Sequence, residues 1–205
     1  MVQSTYSLIE LTIIIISLFS VLVYINLSKN SNYSAKNSAN YLELTNLPNL
    51  NDLLELEKVA RKEGSNVTLE PLIGVWKFVS VWKPLSDKED FFTSLLLRKF
   101  SACLQLSKAK NIEDQTSFLI NNSIKFGLLQ LKFSGEGKLV GNQPRLIFYF
   151  DSIELYLSSK NVFKRSIPIP EDKNKPFFLI VSMSITNSWL SGRGRGGGLA
   201  LWQKS

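Results

Sequence analysis

After Pro71 the apolar residues stop recurring at helical spacing and begin to alternate, and that change of period limits most strongly what the chain can fold into. In Ile73–Trp82, Val75, Lys77, Val79 and Val81 oppose Trp76, Phe78, Ser80 and Trp82, which predicts a strand with one aromatic face. Further strand-like runs cover Leu97–Leu106, Ser123–Phe133, Arg145–Leu157 and Phe177–Ser184, with closing pieces around Trp189 and from Gly198 to Trp202. Turn chemistry separates them at Gly135-Glu136-Gly137, Gly141-Asn142, Pro168–Pro176 and Asn187. Short strands without intervening helices predict an antiparallel sheet, which closes most economically into a barrel or half-barrel. The fold class expected is therefore mainly β.

One helix is expected ahead of the sheet, from Asn51 as cap to about Lys62, with Gly64 as its stop. Leu53, Leu56, Val59 and Ala60 share its apolar face, and Glu55, Glu57, Lys58 and Arg61 its outer one. Earlier still, Leu11–Leu27 contains no charge, glycine or proline. With Leu8 and Ile9 it is long enough to cross the roughly 30 Å of bilayer hydrocarbon, and Tyr6 and Tyr24 suit the interfaces. Leu11, Ile14, Phe19 and Val23 represent this anchor. A cleaved signal peptide fits less well, because no Lys or Arg precedes the run and no small-x-small cleavage site follows. Lys29 and Lys36 come after the span and nothing positive before it, which predicts a single pass with the remainder on the cytoplasmic or stromal side. From Ser28 to Asn40 the composition turns to Ser, Asn, Lys and Ala, the signature of a flexible tether. The expected organisation is an anchor over residues 1–28, a tether over 29–46 and a β-domain over 47–205.

The chain has no histidine and a lone Cys103. A Ser-His-Asp triad, a Cys-His pair, a His-ligated metal and an intrachain disulfide are thereby excluded for this sequence. The acidic clusters Asp87/Glu89/Asp90 and Glu113/Asp114 lie in polar connectors with no nucleophile beside them and read as surface charge. No enzymatic activity, cofactor or metal is expected. Net charge is +7, which divides into −3 over residues 41–70 and +9 from Pro71 onward. A basic β-domain beside a bilayer is attracted to anionic headgroups, and Lys160, Phe163, Lys164 and Arg165 in one loop form a candidate patch.

Two motifs bracket the sheet: Gly74-x-Trp76 opens it, and Ser191-Gly-Arg193-Gly-Arg195-Gly-Gly-Gly-Leu-Ala-Leu-Trp202 closes it. A nucleotide-binding reading of the glycines lacks a Gly-Lys-Ser/Thr end and a following helix. Two arginines are too few for an RNA-binding tail, so no nucleic-acid partner is expected; a tight or bulged turn suits the glycines better. A Gly-x-Trp opening with an arginine on the closing strand resembles a lipocalin-type barrel. That likeness implies a structural clasp of Gly74 and Trp76 with Arg193 or Arg195, through a cation–π contact.

With the leucine-rich helix, the arrangement resembles the plastid-lipid-associated protein/fibrillin family, a lipocalin-like group of cyanobacteria and plastids. A departure is Ile185-Thr-Asn-Ser-Trp-Leu190, where the family carries a Tyr-Leu-Asp-like stretch. The resemblance implies a location at thylakoids and non-covalent binding of a lipid, quinone or carotenoid. Trp76, Phe78, Trp82, Phe100, Phe126, Phe148 and Phe150 are the candidates to line such a cavity, and equally the candidates to fill it as ordinary core. Two functions follow as alternatives. One is capture and release of an apolar molecule at a photosynthetic membrane; the other is an interaction module in assembly or maintenance of a membrane complex, its barrel filled by its own side chains.

Overall fold

The computed structural model describes residues 47–86, 88–109 and 115–205. The expected anchor and tether lie outside them, as do Asp87, Glu113 and Asp114. Among the described residues no helix is long and apolar enough to cross a membrane.

The chain forms α1 (Leu50–Glu63), α2 (Leu69–Leu72), β1 (Gly74–Trp82) and α3 (Phe91–Lys99). It continues with β2 (Cys103–Lys108), β3 (Ser117–Phe126), β4 (Leu129–Val140), β5 (Arg145–Leu157), β6 (Lys160–Ser166), β7 (Phe177–Ser184), β8 (Trp189–Gly194) and β9 (Leu199–Lys204). All pairings are antiparallel, and β1, β2, β3, β4, β5, β7, β8 and β9 close on themselves as an eight-stranded barrel. β6 stands outside the closed ring as a hairpin on the second half of β5, with Leu155 opposite Phe163 and Leu157 opposite Lys160.

Two ends are defined by the register. At the upper end lie the close of β1, α3, the β3–β4 turn, the β5–β6 hairpin and the glycine-rich β8–β9 turn. At the lower end lie the β4–β5 and β7–β8 turns and α2, whose Leu69 and Leu72 join the barrel core and plug its floor. α1 runs down the outside. Asn49 caps it reciprocally with Asp52, a capping box that satisfies two orphan amides, and Gly64 ends it with φ +83° beside the Asn142 carbonyl.

Inside the barrel, Trp76, Leu104, Phe118, Ile120, Phe148 and Trp202 belong to one continuous buried cluster. A second cluster lies outside, where Leu53 of α1 packs on Trp82, Val181, Trp189, Leu199 and Leu201. Four strands therefore bury both faces along part of their length, which requires a cover on the outer side. α1 supplies that cover.

The structure moves the cap of α1 from the expected Asn51, which lies inside the helix, to Asn49, and it corrects the reading from β1 onward in five places. The strand expected from Leu97 is helix α3 as far as Lys99: Asp90 caps it through the Thr93 amide at 3.2 Å and the Thr93 hydroxyl at 2.8 Å, while Arg98 and Lys99 occupy its last turn and suit the helix dipole. The run Ser123–Phe133 is split by a turn at Gly127-Leu128. Gly135 and Gly137, expected in a turn, lie within β4, because a Cβ at Gly135 would come within 1.9 Å of the Tyr149 carbonyl oxygen and only glycine permits that coiling. Lys160–Arg165 is strand rather than loop. A bulge between Phe78 and Ser80 reverses the facing of β1, so that Trp76 and Phe78 point inward while Trp82 packs outside against α1.

Candidate functional site

Six of the seven cavity candidates lie within or beside the barrel core, four of them in the inner cluster and two, Phe100 and Phe126, as a separate pair. Phe133, Phe150, Phe148, Phe178 and Trp202 form a string of rings from β4 to β9 with successive centroids 5.4–5.5 Å apart. Trp76 and Phe148 are buried, and Phe78 and Phe150 pack against the same cluster. Phe100 follows α3 and meets Phe126 edge to face at 5.4 Å. The seventh candidate, Trp82, is excluded from the interior by the β1 bulge.

The clasp exists with a different cation. Trp76 donates its indole N–H to the Leu72 carbonyl at 2.8 Å, and Lys204 Nζ stands 5.2 Å from the ring centroid while donating to Pro71 O at 3.2 Å. Gly74, at φ +143°, leaves the room: a Cβ there would sit 2.6 Å from Lys204 Cε. Neither Arg193 nor Arg195 approaches Trp76. Arg195 donates to the Lys175 carbonyl at 3.1 Å, and Arg193 projects from the outer face of β8 to Glu57 of α1. There Nε donates to Oε1 at 2.6 Å, Nη2 makes a second bond to Oε2, and Arg61 adds one at 2.8 Å. Burial alone would raise the Glu57 carboxyl, but the hydrogen bonds and charges of Arg193 and Arg61 outweigh it and hold it below the ordinary value of 4.5. Glu57, expected on the exposed face of the helix, is thus its polar link to the barrel. Its signal in the sequence was its spacing: with Leu53 and Ala60 it falls on one helical stripe.

A groove of about 870 Å³ opens beside this link, between the first turns of α1, the Trp82–Ser86 connector and the glycine turn. Leu50, Leu54, Trp82, Pro84 and Leu199 line it, with Lys58 and Arg61 on the α1 side. It lies outside the barrel.

The upper end carries a different chemistry. β2 pairs with β1 only over Gly74–Lys77, and α3 takes its place above. Ser94 Oγ accepts from the Val81 amide at 3.0 Å, and Arg98 donates to the Val79 carbonyl at 2.8 Å. With that edge occupied by its polar residues, α3 turns Phe91, Phe92 and Leu95 toward solvent. Leu128 at the β3–β4 turn, and Leu157, Val162 and Phe163 on the β5–β6 hairpin, are also exposed. Of the predicted basic patch, Lys164 is tied to Glu154 at 2.8 Å. The hydrogen bond from Lys164, then that from Tyr156, holds the Glu154 carboxyl below its usual range.

The acidic residues considered for catalysis serve structure where they are described: Asp90 caps α3 and pairs with Lys83 at 3.0 Å, and Glu89 pairs with Arg98 at 3.2 Å. Fold and sites together define a small closed β-barrel with an aromatic-rich inner cluster, an outer groove and an apolar rim. No family model, curated protein or solved structure matches the chain.

Proposed function

We propose that the chain is a non-enzymatic binding module held at a membrane, whose barrel is a filled scaffold and whose outer surfaces make the contacts that matter, as in the assembly or upkeep of a membrane complex. The observation that carries this reading is the string of touching rings across the interior, continuous with the buried cluster around Trp76 and Phe118. Side chains in contact across the interior occupy the volume that a carrier keeps for its cargo, which favours the scaffold. The membrane element rests on the apolar run Leu11–Leu27 and on the basic balance of the β-domain. Membership of the plastid-lipid-associated/fibrillin group, and with it a photosynthetic membrane, is part of the same proposal. Its support is the order of elements and the clasp of Gly74, Trp76 and Lys204.

A second reading is favoured by one observation, the groove of about 870 Å³, which is of the size that encloses a small organic molecule. In that reading a lipid, quinone or carotenoid binds between α1 and the glycine turn, outside the barrel. Native mass spectrometry of the full chain released from detergent separates the two. The filled-scaffold reading expects the mass of the chain alone. One apolar molecule retained per chain, and exchanged for its isotopically labelled form when that is added in excess, would overturn it in favour of the carrier.

A further inference from the structure

We infer that the upper end of the barrel is a docking face for an anionic lipid surface, made by α3 and by the β3–β4 and β5–β6 hairpins; this rests on the membrane setting proposed above. Twelve large apolar side chains are exposed among the described residues. Eight belong to this end: Leu85, three on α3, Leu128, Leu157, and Val162 and Phe163 of β6. Val59 and Ile169 lie along the sides, and only Val140 and Ile185 mark the lower end. The eight come from elements joined by register. Leu129 stands opposite Leu157, Leu155 opposite Phe163, and the Lys125 amide donates to the Phe100 carbonyl at the foot of α3. Clustering of this kind marks an interaction surface rather than scattered surface residues.

Charge selects the occupant. Of the described acidic side chains at this end, Glu89 pairs with Arg98, Asp90 with Lys83 and Glu154 with Lys164, and Asp52 is engaged in the cap of α1. Lys88, Lys125 and Lys160, next to the apolar prongs, carry no ion pair among the described residues. Apolar tips interleaved with uncompensated lysines, on stems long enough to reach past them, suit the boundary between acyl chains and anionic headgroups. A protein partner of ordinary interface composition would find lysine in excess.

The test uses the full chain with Cys103→Ser and one introduced cysteine, at Leu128→Cys, Val162→Cys or Ile185→Cys, each carrying an environment-sensitive fluorophore. The protein is reconstituted into phosphatidylcholine vesicles with or without phosphatidylglycerol. Labels at 128 and 162 are expected to shift to shorter wavelength and to be quenched by brominated lipid when phosphatidylglycerol is present, and to lose most of the effect when Lys125 and Lys160 are both changed to Glu. The label at 185 is expected to stay in water. Equal exposure of all three positions overturns the inference, and so does shielding at 128 and 162 that is indifferent to lipid charge or grows with protein concentration, which would point to a second copy. Hydrogen exchange of the unmodified chain in nanodiscs of the same two compositions gives the same comparison without substitutions: protection of the turns at Leu128 and Ser158 with the anionic lipid is expected, and its absence would overturn the inference. Neither readout depends on whether a small molecule co-purifies, so this inference and the filled-scaffold reading fail separately.

Discussion

The strands on one side of the barrel, β7, β8, β9 and the upper half of β1, bury two faces; those on the other, β3, β4 and β5, bury one. On the first side Ile180, Leu190 and Trp202 enter the inner core, while Val181, Trp189 and Leu201, their neighbours in sequence, enter the outer one. On the second side the outward face carries polar pairs, with Lys132 beside Glu154 and Glu136 beside Tyr149. The difference follows from α1, which covers only the first side. A strand's sequence thus records what lies over it as well as the sheet to which it belongs. The two sides differ in their stakes too: inner packing holds the barrel closed, whereas outer packing holds a helix and the groove beside it.

The largest effect should come from the inner core. Trp76→Ala removes a buried indole, its hydrogen bond to Leu72 and the surface under Lys204, and should cost about 3–5 kcal/mol in reversible unfolding. An unchanged melting temperature would show that the floor of the barrel does not depend on this residue. Leu53→Ala empties a fully buried position in the outer core and should cost about 2–4 kcal/mol. Because the sheet separates the two sites, the double substitution should be additive to within roughly 0.5 kcal/mol. A larger coupling measured by denaturant titration would mean that the outer helix and the inner core form a single cooperative layer.

Legibility in sequence did not follow the two sides: Phe177–Ser184 on the covered side matched β7 at both ends, whereas β3 and β4 on the bare side were read as one run. Arg145–Leu157 was likewise identified with both its boundaries as β5, because the Gly141-Asn142 turn marks where it begins, although Leu146–Phe150 is apolar without alternation. On the covered side, alternation located Phe177–Ser184 but left its facing undetermined, because both faces are apolar. The facing of β1 was misread for another reason: the bulge at Val79 inserts a residue that leaves no mark in the alternating pattern. α3 was missed because Leu95-Leu96-Leu97 is apolar without period, and the decision rests on the Asp90 cap and on the docking of Ser94 and Arg98 against β1, a tertiary effect. The clasp was half legible. Gly74 and Trp76 are two residues apart in sequence and local in their geometry, whereas the choice among Arg193, Arg195 and Lys204 depends on strand register. The apolar rim was visible only as Phe163 among basic residues, since its other members lie far apart along the chain.

The polar link between helix and barrel gives an intermediate effect. Glu57→Gln removes the charge that Arg193 and Arg61 face, and should cost roughly 1–3 kcal/mol, the range for hydrogen bonds to charged groups, reduced here because Arg61 is largely exposed. The same carboxylate predicts a pH dependence. Its folded-state pKa is depressed below 4.5, so the stability it contributes is fully present above that value and is lost as pH falls from there through the depressed folded-state value. Wild-type and Glu57→Gln stabilities should therefore converge as a urea titration is moved from neutral to acidic pH. A constant gap across that interval would mean that packing around position 57, and not its charge, holds α1 in place.

The smallest predicted effect tests the clasp itself. Lys204 reaches Trp76 with its stem packed against Gly74 and its ammonium over the ring. Two contributions are therefore superimposed, apolar contact and cation–π attraction. Lys204→Met keeps most of the stem and removes the charge. At this exposed position the lost attraction is about 0.5–1 kcal/mol, a fall in melting temperature of about 1–4 °C for a domain of this size. Lys204→Arg should retain the wild-type value, since a guanidinium can stack on the same ring. If Met is neutral and Arg destabilising, the contact with Trp76 is steric, and the barrel is closed at this point by shape alone. If both are neutral, the two ends of the sheet are held by the β1–β9 ladder without help from the side chains across it.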